Sequence, residues 1–270
     1  MASRASSRPI LRPGLRVYRR DDNHLQIGID RPRVVLPDSP GVRRLLSDLA
    51  AGAGLDSLTP DAGLAYQQLV DGGLVVEHRD LTSSRAAAAP VFATHGPDAP
   101  ARLAARSSCV VDVRAPERWR PNLMQWLGQA GVGVHGGPAG RPSVVLLVTV
   151  DEPPRSLVDP LVVEDRPHLL LMLGADQARL GPFVVPGVTA CLRCLDAHFG
   201  EHDPRRALVL EQLEDAAPAA GPYDPVLAHA ATALAVRDLT SYAEGDRPAT
   251  WSTTITVGAD LALPHRTWSR

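Results

Sequence analysis

Apolar residues recur along this chain with two different periods, and the switch between them marks out its elements. Leu15 and Val17, then Leu25, Ile27 and Ile29, alternate with polar residues around an Asp21-Asp22-Asn23 turn, which predicts a β-hairpin. Val34-Val35-Leu36 predicts a third strand, kept short and at a sheet edge by Pro32 and Pro37. Val42, Leu45, Leu46 and Leu49 then fall on one helical face, with Gly52 placed to end the helix. Thr59-Pro60 supplies an N-cap and first residue for a second helix, whose Ala62, Ala65, Tyr66 and Leu69 share a face until Gly72-Gly73. Leu74-Val75-Val76 closes the unit as a strand. This order predicts a small winged-helix-like domain over residues 14–81.

The first 13 residues read as a disordered tail: Arg4, Arg8 and Arg12 resemble a transit peptide, but Pro9 and Pro13 break any amphipathic helix. Residues 82–100, rich in Ala, Ser and Pro and without periodicity, read as a linker. A second domain, 101–270, follows. Its predicted strands are Cys109 to Val113, Val132 to His135, Val144 to Val150 and Leu169 to Leu173. A helix carries Leu123, Trp126, Leu127 and Ala130; another opens at Asp224-Pro225; Trp251 to Val257 alternates as a last strand. Short apolar strands interleaved with helices predict an α/β domain of degenerate Rossmann-like type with a mostly parallel sheet.

Composition narrows the chemistry. All 28 Lys+Arg positions are arginine, which removes a Schiff-base lysine and a Walker lysine and points to a GC-rich bacterial genome. A net charge of -2 leaves no nucleic-acid footprint, and the second helix carries Asp61, Gln67, Gln68 and Asp71 but no arginine, which argues against DNA binding. The longest apolar run, Val144 to Val150, is far below the ~20 residues of a membrane span. Cys109, Cys191 and Cys194 are too few for a secreted disulfide framework, so a cytoplasmic protein is expected.

Gly131, Gly133 and Gly136 match a dinucleotide fingerprint in spacing, but they follow a helix and run into Pro138 instead of opening a helix. After the Cys109 to Val113 strand, where a nucleotide loop belongs, stands Arg114-Ala115-Pro116-Glu117-Arg118, without a glycine. The two arginines can attract a phosphate, but the backbone cannot approach one closely. The segment from Gly181 to Cys194 ends in Cys191-Leu192-Arg193-Cys194. Thioredoxin-like redox chemistry wants a different surrounding fold, and structural zinc wants four ligands. His198 and His202 share a helical face with Cys194 and leave a Cys/Cys/His site open; the plainer reading packs both thiols under a Gly/Pro loop. The other histidines show no metal or catalytic spacing, and no hydrolase or metalloprotease motif occurs.

Two stretches resemble a known family, the cyclodehydratase-associated, ubiquitin-activating-like proteins of thiazole/oxazole-modified peptide biosynthesis. Leu25 to Asp30, through Val34-Val35-Leu36 to the Leu45/Leu46/Leu49 helix, is similar to the family's peptide-recognition winged helix. Leu180 to Cys194 is similar to its loop and first zinc pair. The resemblance implies that a leader peptide adds as a strand beside Val34, Val35 and Leu36, with side chains along Leu64, Gln67, Gln68 and Asp71. It also implies a YcaO-type partner enzyme, because the ATP-dependent step of heterocycle formation belongs there. Adenylating members need a glycine loop, an acid for magnesium and basic residues on the phosphates, so with Arg114 to Arg118 in that loop ATP is not expected. The family's second cysteine pair would fall near Trp268-Ser269-Arg270, which leaves zinc at Cys191 and Cys194 as an option only if other ligands join. The expectation is thus a non-catalytic scaffold that presents a precursor peptide for bacteriocin-type maturation, with no membrane or nucleic-acid partner and a homodimer left open. The alternatives are an ATP-dependent cyclodehydratase or adenylyltransferase component and, behind it, a winged-helix DNA-binding regulator.

Overall fold

The computed structural model of the chain describes residues 8–55, 57–82, 88–135, 142–213 and 222–270, which divide between two compact units, Met1–Ala104 and Ala105–Arg270. The first contains β1 (Pro9–Leu11), β2 (Val17–Arg19), β3 (His24–Ile27), β4 (Val34–Pro37), α1 (Pro40–Ala51), α2 (Pro60–Asp71), β5 (Val75–Glu77), α3 (His78–Thr82) and α4 (Ala88–His95), and α5 (Ala99–Ser108) crosses the boundary. Strands β2, β3 and β4 form an antiparallel sheet in that order. Leu25, Ile27 and Leu36 bury against Val42, Leu45, Leu46 and Leu49 of α1 and Ala62, Ala65 and Leu69 of α2. Full burial of side chains this size is worth roughly 1.5–3 kcal/mol each, enough to fix both helices on the sheet. The Ser39 hydroxyl accepts from the Val42 N–H at 3.2 Å at the start of α1, and Gly52 ends the helix in the left-handed region at φ 65°.

Three expectations for this unit need correction. Ile29 lies beyond β3 and is exposed. Residues 9–11 of the expected tail form β1, which pairs antiparallel with β5 in the register Ile10↔Val76. The expected linker 82–100 is helical over most of its described length, with Val91, Phe92 and Ala99 buried beside Val76. Its prolines misled the reading: Pro90 and Pro100 lie in the first turns of α4 and α5, where the missing N–H has no intrahelical role. Arg12 ties the segment down by donating from Nη2 to the Ala93 carbonyl at 2.8 Å.

The second unit contains β6 (Val110–Arg114), α6 (Arg120–Gln129), β7 (Gly133–Val134), β8 (Val144–Val150), α7 (Asp159–Val163), β9 (His168–Leu173), β10 (Gln177–Val184), α8 (Leu192–Gly200), α9 (Arg206–Glu211), α10 (Pro225–Ala243), β11 (Thr253–Gly258) and β12 (His265–Thr267). Its seven-stranded sheet runs β12-β11-β10-β9-β8-β6-β7. The pairs β6/β7, β6/β8 and β8/β9 are parallel, while β9/β10, β10/β11 and β11/β12 are antiparallel. Strands β6 to β9 and β11 therefore point one way, giving a mostly parallel direction, but half of the sheet is a meander that hydrophobic patterning did not reveal. Leu146, Val148, Leu169 and Leu171 bury on the face covered by α6 and α10, whereas Leu147, Leu170 and Met172 bury on the other against Leu192, Leu195 and Trp268.

The Gly/Pro stretch expected as a loop from Gly181 is instead the end of β10, with its ladder broken between Leu180 and Phe183. Such an irregularity accommodates Pro182, which has no N–H to donate. Gly181 has φ 90° and leaves no room for a Cβ against the Thr253 carbonyl and the Thr250 side chain.

His168, fully buried at the start of β9, donates from Nδ1 to the Arg166 carbonyl at 2.8 Å, and among the described residues its buried Nε2 has no partner. Burial pushes its pKa below the ordinary value of about 6.5, with the Arg166 bond opposing and the Arg114 charge reinforcing the shift. Below about pH 6.5 the unfolded chain takes up this proton before the native state does, so stability falls as pH drops, with a slope approaching about 1.4 kcal/mol per pH unit. Urea unfolding at pH 7.5, 6.5 and 5.5 is expected to show a steeper decline for the wild type than for His168→Leu; equal slopes would exclude this histidine as the source.

Candidate functional site

Two places collect the chemistry singled out in the sequence, one in each unit. In the first, β4 pairs with β3 through Gln26↔Val35 and Leu25↔Leu36, and among the described residues nothing pairs with its other edge. Val35 is exposed, Val34 is half-buried and Leu36 lies in the core, so Leu36 can offer a ligand only its backbone. Helix α2 packs beside this strand, and a Cβ on Gly72 at its end would come within 3.2 Å of Val34 Cγ2. Leu64, Gln67, Gln68 and Asp71 form one exposed stripe along α2 at helical spacing. Leu64 is 71% exposed, and Gln67 Nε2 donates to Asp71 Oδ1 at 2.7 Å. An unpaired strand edge beside an exposed apolar and amide-bearing helix face suits an extended peptide: the edge supplies main-chain bonds and the helix face supplies selectivity.

In the second unit the strand ends are where an α/β sheet of this type binds ligands. The loop after β6 has no glycine, and its two arginines make contacts within the chain. Arg114 Nε bonds Asp112 at 3.0 Å, and the Arg118 guanidinium stacks 4.4 Å from the Tyr223 ring centroid. Trp119, buried at the start of α6, packs its ring 4.8 Å from His229 and 5.7 Å from Tyr223. Gly131 ends α6 with φ 82° and Gly133 lies in β7, so neither opens a helix; Gly136 and Pro138 lie outside the described residues. At the ends of β8 and β9 a cleft of about 400 Å³ is lined by Asp151, Glu152, Asp176 and Arg179, a predominantly acidic set that disfavours a bare phosphate.

Sequence reasoning missed a buried cluster of charges just past β8. Arg155 is only 2% exposed. It grips Asp196 of α8 through two 2.6 Å bonds, reaches Glu152 at 2.8 Å, and donates Nη1 to the Pro153 carbonyl at 2.6 Å. Arg179 also bonds Glu152, and Arg206 approaches Asp196 at 3.6 Å. Burial pushes the Glu152 carboxyl up, but Arg179 and Arg155 more than offset this and hold it below the usual carboxylate range. Periodicity could not find this cluster, because its members are spread from Glu152 to Arg206 and only the tertiary fold joins them.

Cys191 is the N-cap of α8, Cys194 lies one turn on, and their sulfurs are 3.6 Å apart. Zinc is the metal the resemblance implies here. The pair has the separation that two ligands of one tetrahedral zinc require, but the described residues contain no group of three His, Cys, Asp or Glu side chains able to hold a metal. His198 Nε2 is instead 3.1 Å from the Ser269 carbonyl and 2.9 Å from its hydroxyl, and His202 Nδ1 faces the His198 carbonyl at 3.3 Å. Cys109 is buried in the other core cluster, on the α6 and α10 face. The described residues do not fit zinc.

Against known proteins, no family profile and no curated protein matches the chain. Solved structures do. A heterocyclase solved with substrate and cofactor superposes with a TM-score of 0.71 at 18% identity, covering 97% of this chain and 38% of its own. The chain shares its fold with part of the heterocyclase TruD. That match has a TM-score of 0.72 at 19% identity and covers 98% of this chain and 42% of TruD. MccB of E. coli, solved with ATP among other ligands, gives 0.59 at 12% identity and covers 97% of both chains. The chain thus spans well under half of the heterocyclases but nearly all of MccB. Among the described residues, no helix is long and apolar enough to cross a membrane.

The Arg155 cluster yields a stability prediction. Arg155→Ala leaves the largely buried Asp196 and Glu152 carboxylates without their shared cation and is expected to cost about 3–5 kcal/mol, as loss of one partner of a buried ion pair does. Urea unfolding followed by tryptophan fluorescence measures it; a loss below about 1 kcal/mol, the range of exposed pairs, would mean that the cluster is not a structural centre.

Proposed function

We propose that the chain is a non-catalytic scaffold of ribosomal peptide natural-product maturation. Its winged-helix-like unit binds a precursor leader peptide and presents it to a YcaO-type modifying enzyme. The open edge of β4 beside the exposed Leu64, Gln67, Gln68 and Asp71 stripe carries this reading. An incoming strand can hydrogen-bond to the edge while its side chains meet Val35 and Leu64. The structural neighbours support a peptide ligand: one heterocyclase was solved with its substrate, and the microcin C7 biosynthetic enzyme MccB was solved with N-formylated MccA. The non-catalytic part of the reading is supported by Arg114 and Arg118, which are engaged with Asp112 and Tyr223, and by a loop without glycine.

A second reading, an ATP-dependent cyclodehydratase or adenylyltransferase component, has the MccB likeness behind it, since MccB was solved with ATP. Pyrophosphate exchange by the purified chain with a bound precursor peptide would establish that reading and end the scaffold one.

The test of the scaffold is fluorescence anisotropy with labelled leader segments of short peptides encoded beside the gene. At least one is expected to bind saturably. Val35→Asp and Leu64→Asp should each weaken it tenfold or more, about 1.4 kcal/mol. Val163→Asp, a change at an exposed position of the other unit, should leave affinity unchanged. Equal affinity for all three variants would remove β4 and α2 as the site.

A further inference from the structure

The scaffold role leaves Cys191 and Cys194 unused, and their geometry defines a chemistry of its own. They are one helical turn apart at the start of α8, with sulfurs at 3.6 Å. Both side chains are half-buried, so small reagents can reach them. Cys191 is the extended N-cap and Cys194 the third helical residue, and at 3.6 Å their sulfurs stand only about 1.6 Å beyond the ~2.0 Å length of an S–S bond. The third cysteine cannot compete, because Cys109 is buried in a different core cluster. The other candidates for a metal are committed elsewhere: His198 to Ser269, and Asp196 to Arg155.

We propose that Cys191 and Cys194 are a redox-active dithiol, and not half of a zinc site, closing reversibly to an intramolecular disulfide by exchange with a low-molecular-weight disulfide. One cysteine thiolate attacks a sulfur of the small disulfide RSSR. A mixed disulfide forms, and the displaced RS⁻ takes up a proton. The second cysteine, as thiolate, attacks the protein sulfur of that mixed disulfide and displaces the second RS⁻, which is protonated in turn. The protein loses two electrons and two protons, and RSSR becomes two RSH.

Closure pins the first turn of the helix that carries Asp196, the partner of Arg155, and acts where Cys194 packs against the Leu192, Leu195 and Trp268 cluster. Burial pushes the Cys191 thiol up, so exchange quickens as pH rises above neutrality.

The sequence supplies a convenient assay, because Arg193 lies between the two cysteines and trypsin cleaves there. The full chain is equilibrated in glutathione buffers from fully reducing to fully oxidising, acid-quenched, alkylated and digested, with bound zinc measured on the protein as purified. The expected product is peptide 180–193 joined to peptide 194–205, lost again on adding dithiothreitol. Cys191→Ser should abolish the joined species and leave glutathione on Cys194. Two outcomes overturn the proposal: separate glutathione adducts with no joined peptides under the most oxidising buffer, or stoichiometric zinc in the purified protein that shields both thiols from alkylation.

Discussion

Burial of β8 and β9 on both faces is the constraint from which the second unit follows. With Leu146, Val148, Leu169 and Leu171 on one side and Leu147, Leu170 and Met172 on the other, neither strand has a wet surface, so helices must cover both layers. Side chains α6 and α10 supply one cover, and Leu192, Leu195 and Trp268 the other. The interior of these two strands is thereby left to apolar side chains, and a cluster of charge collects at the strand ends and in the connections leaving them. That is where Glu152, Asp176, Arg179 and the Arg155 cluster gather.

The loop after β6 differs from a glycine-rich phosphate cradle in a specific physical way. Anion recognition at such a site depends on backbone amides that approach a phosphate, and glycines permit that approach. Here the corresponding loop runs from Arg114 to Arg118 without a glycine, and its guanidiniums are engaged with a carboxylate and an aromatic ring. Past β8, charges that could have served a ligand satisfy one another. An ion-pair cluster of this kind stabilises only as a complete set, because removing one member strands the others in low dielectric.

The smaller unit divides its labour differently. Its core is a three-stranded sheet closed by α1 and α2, and the short β4 ends that sheet with one edge that no described residue pairs with. An edge of that kind is an aggregation hazard unless kept short or given a partner, and β4 is kept to four residues, the last of them Pro37. The proposed peptide would use the same edge as a binding surface. The two units thus concentrate different resources, an open backbone edge in one and side-chain charge and thiols in the other.

The sequence by itself determined the elements whose signal is local. The Leu45 and Leu49 helix with its Gly52 stop, the Leu69 helix, and the apolar runs of β8 and β9 follow from periodicity and capping, which depend on residues a few positions apart. Tertiary structure alone decided the rest. It turned the proline-rich stretch after residue 87 into helices packed on Val76, because proline in a first turn is indistinguishable from a breaker until its neighbours are placed. It recruited Pro9–Leu11 as a partner for Val75–Glu77, made the Gly181-Pro182 stretch part of an irregular antiparallel strand, and brought Arg155 to Asp196 across 41 positions. Each of these depends on contacts between distant residues, and no local pattern in the chain encodes which distant partner a strand edge or a buried charge will find.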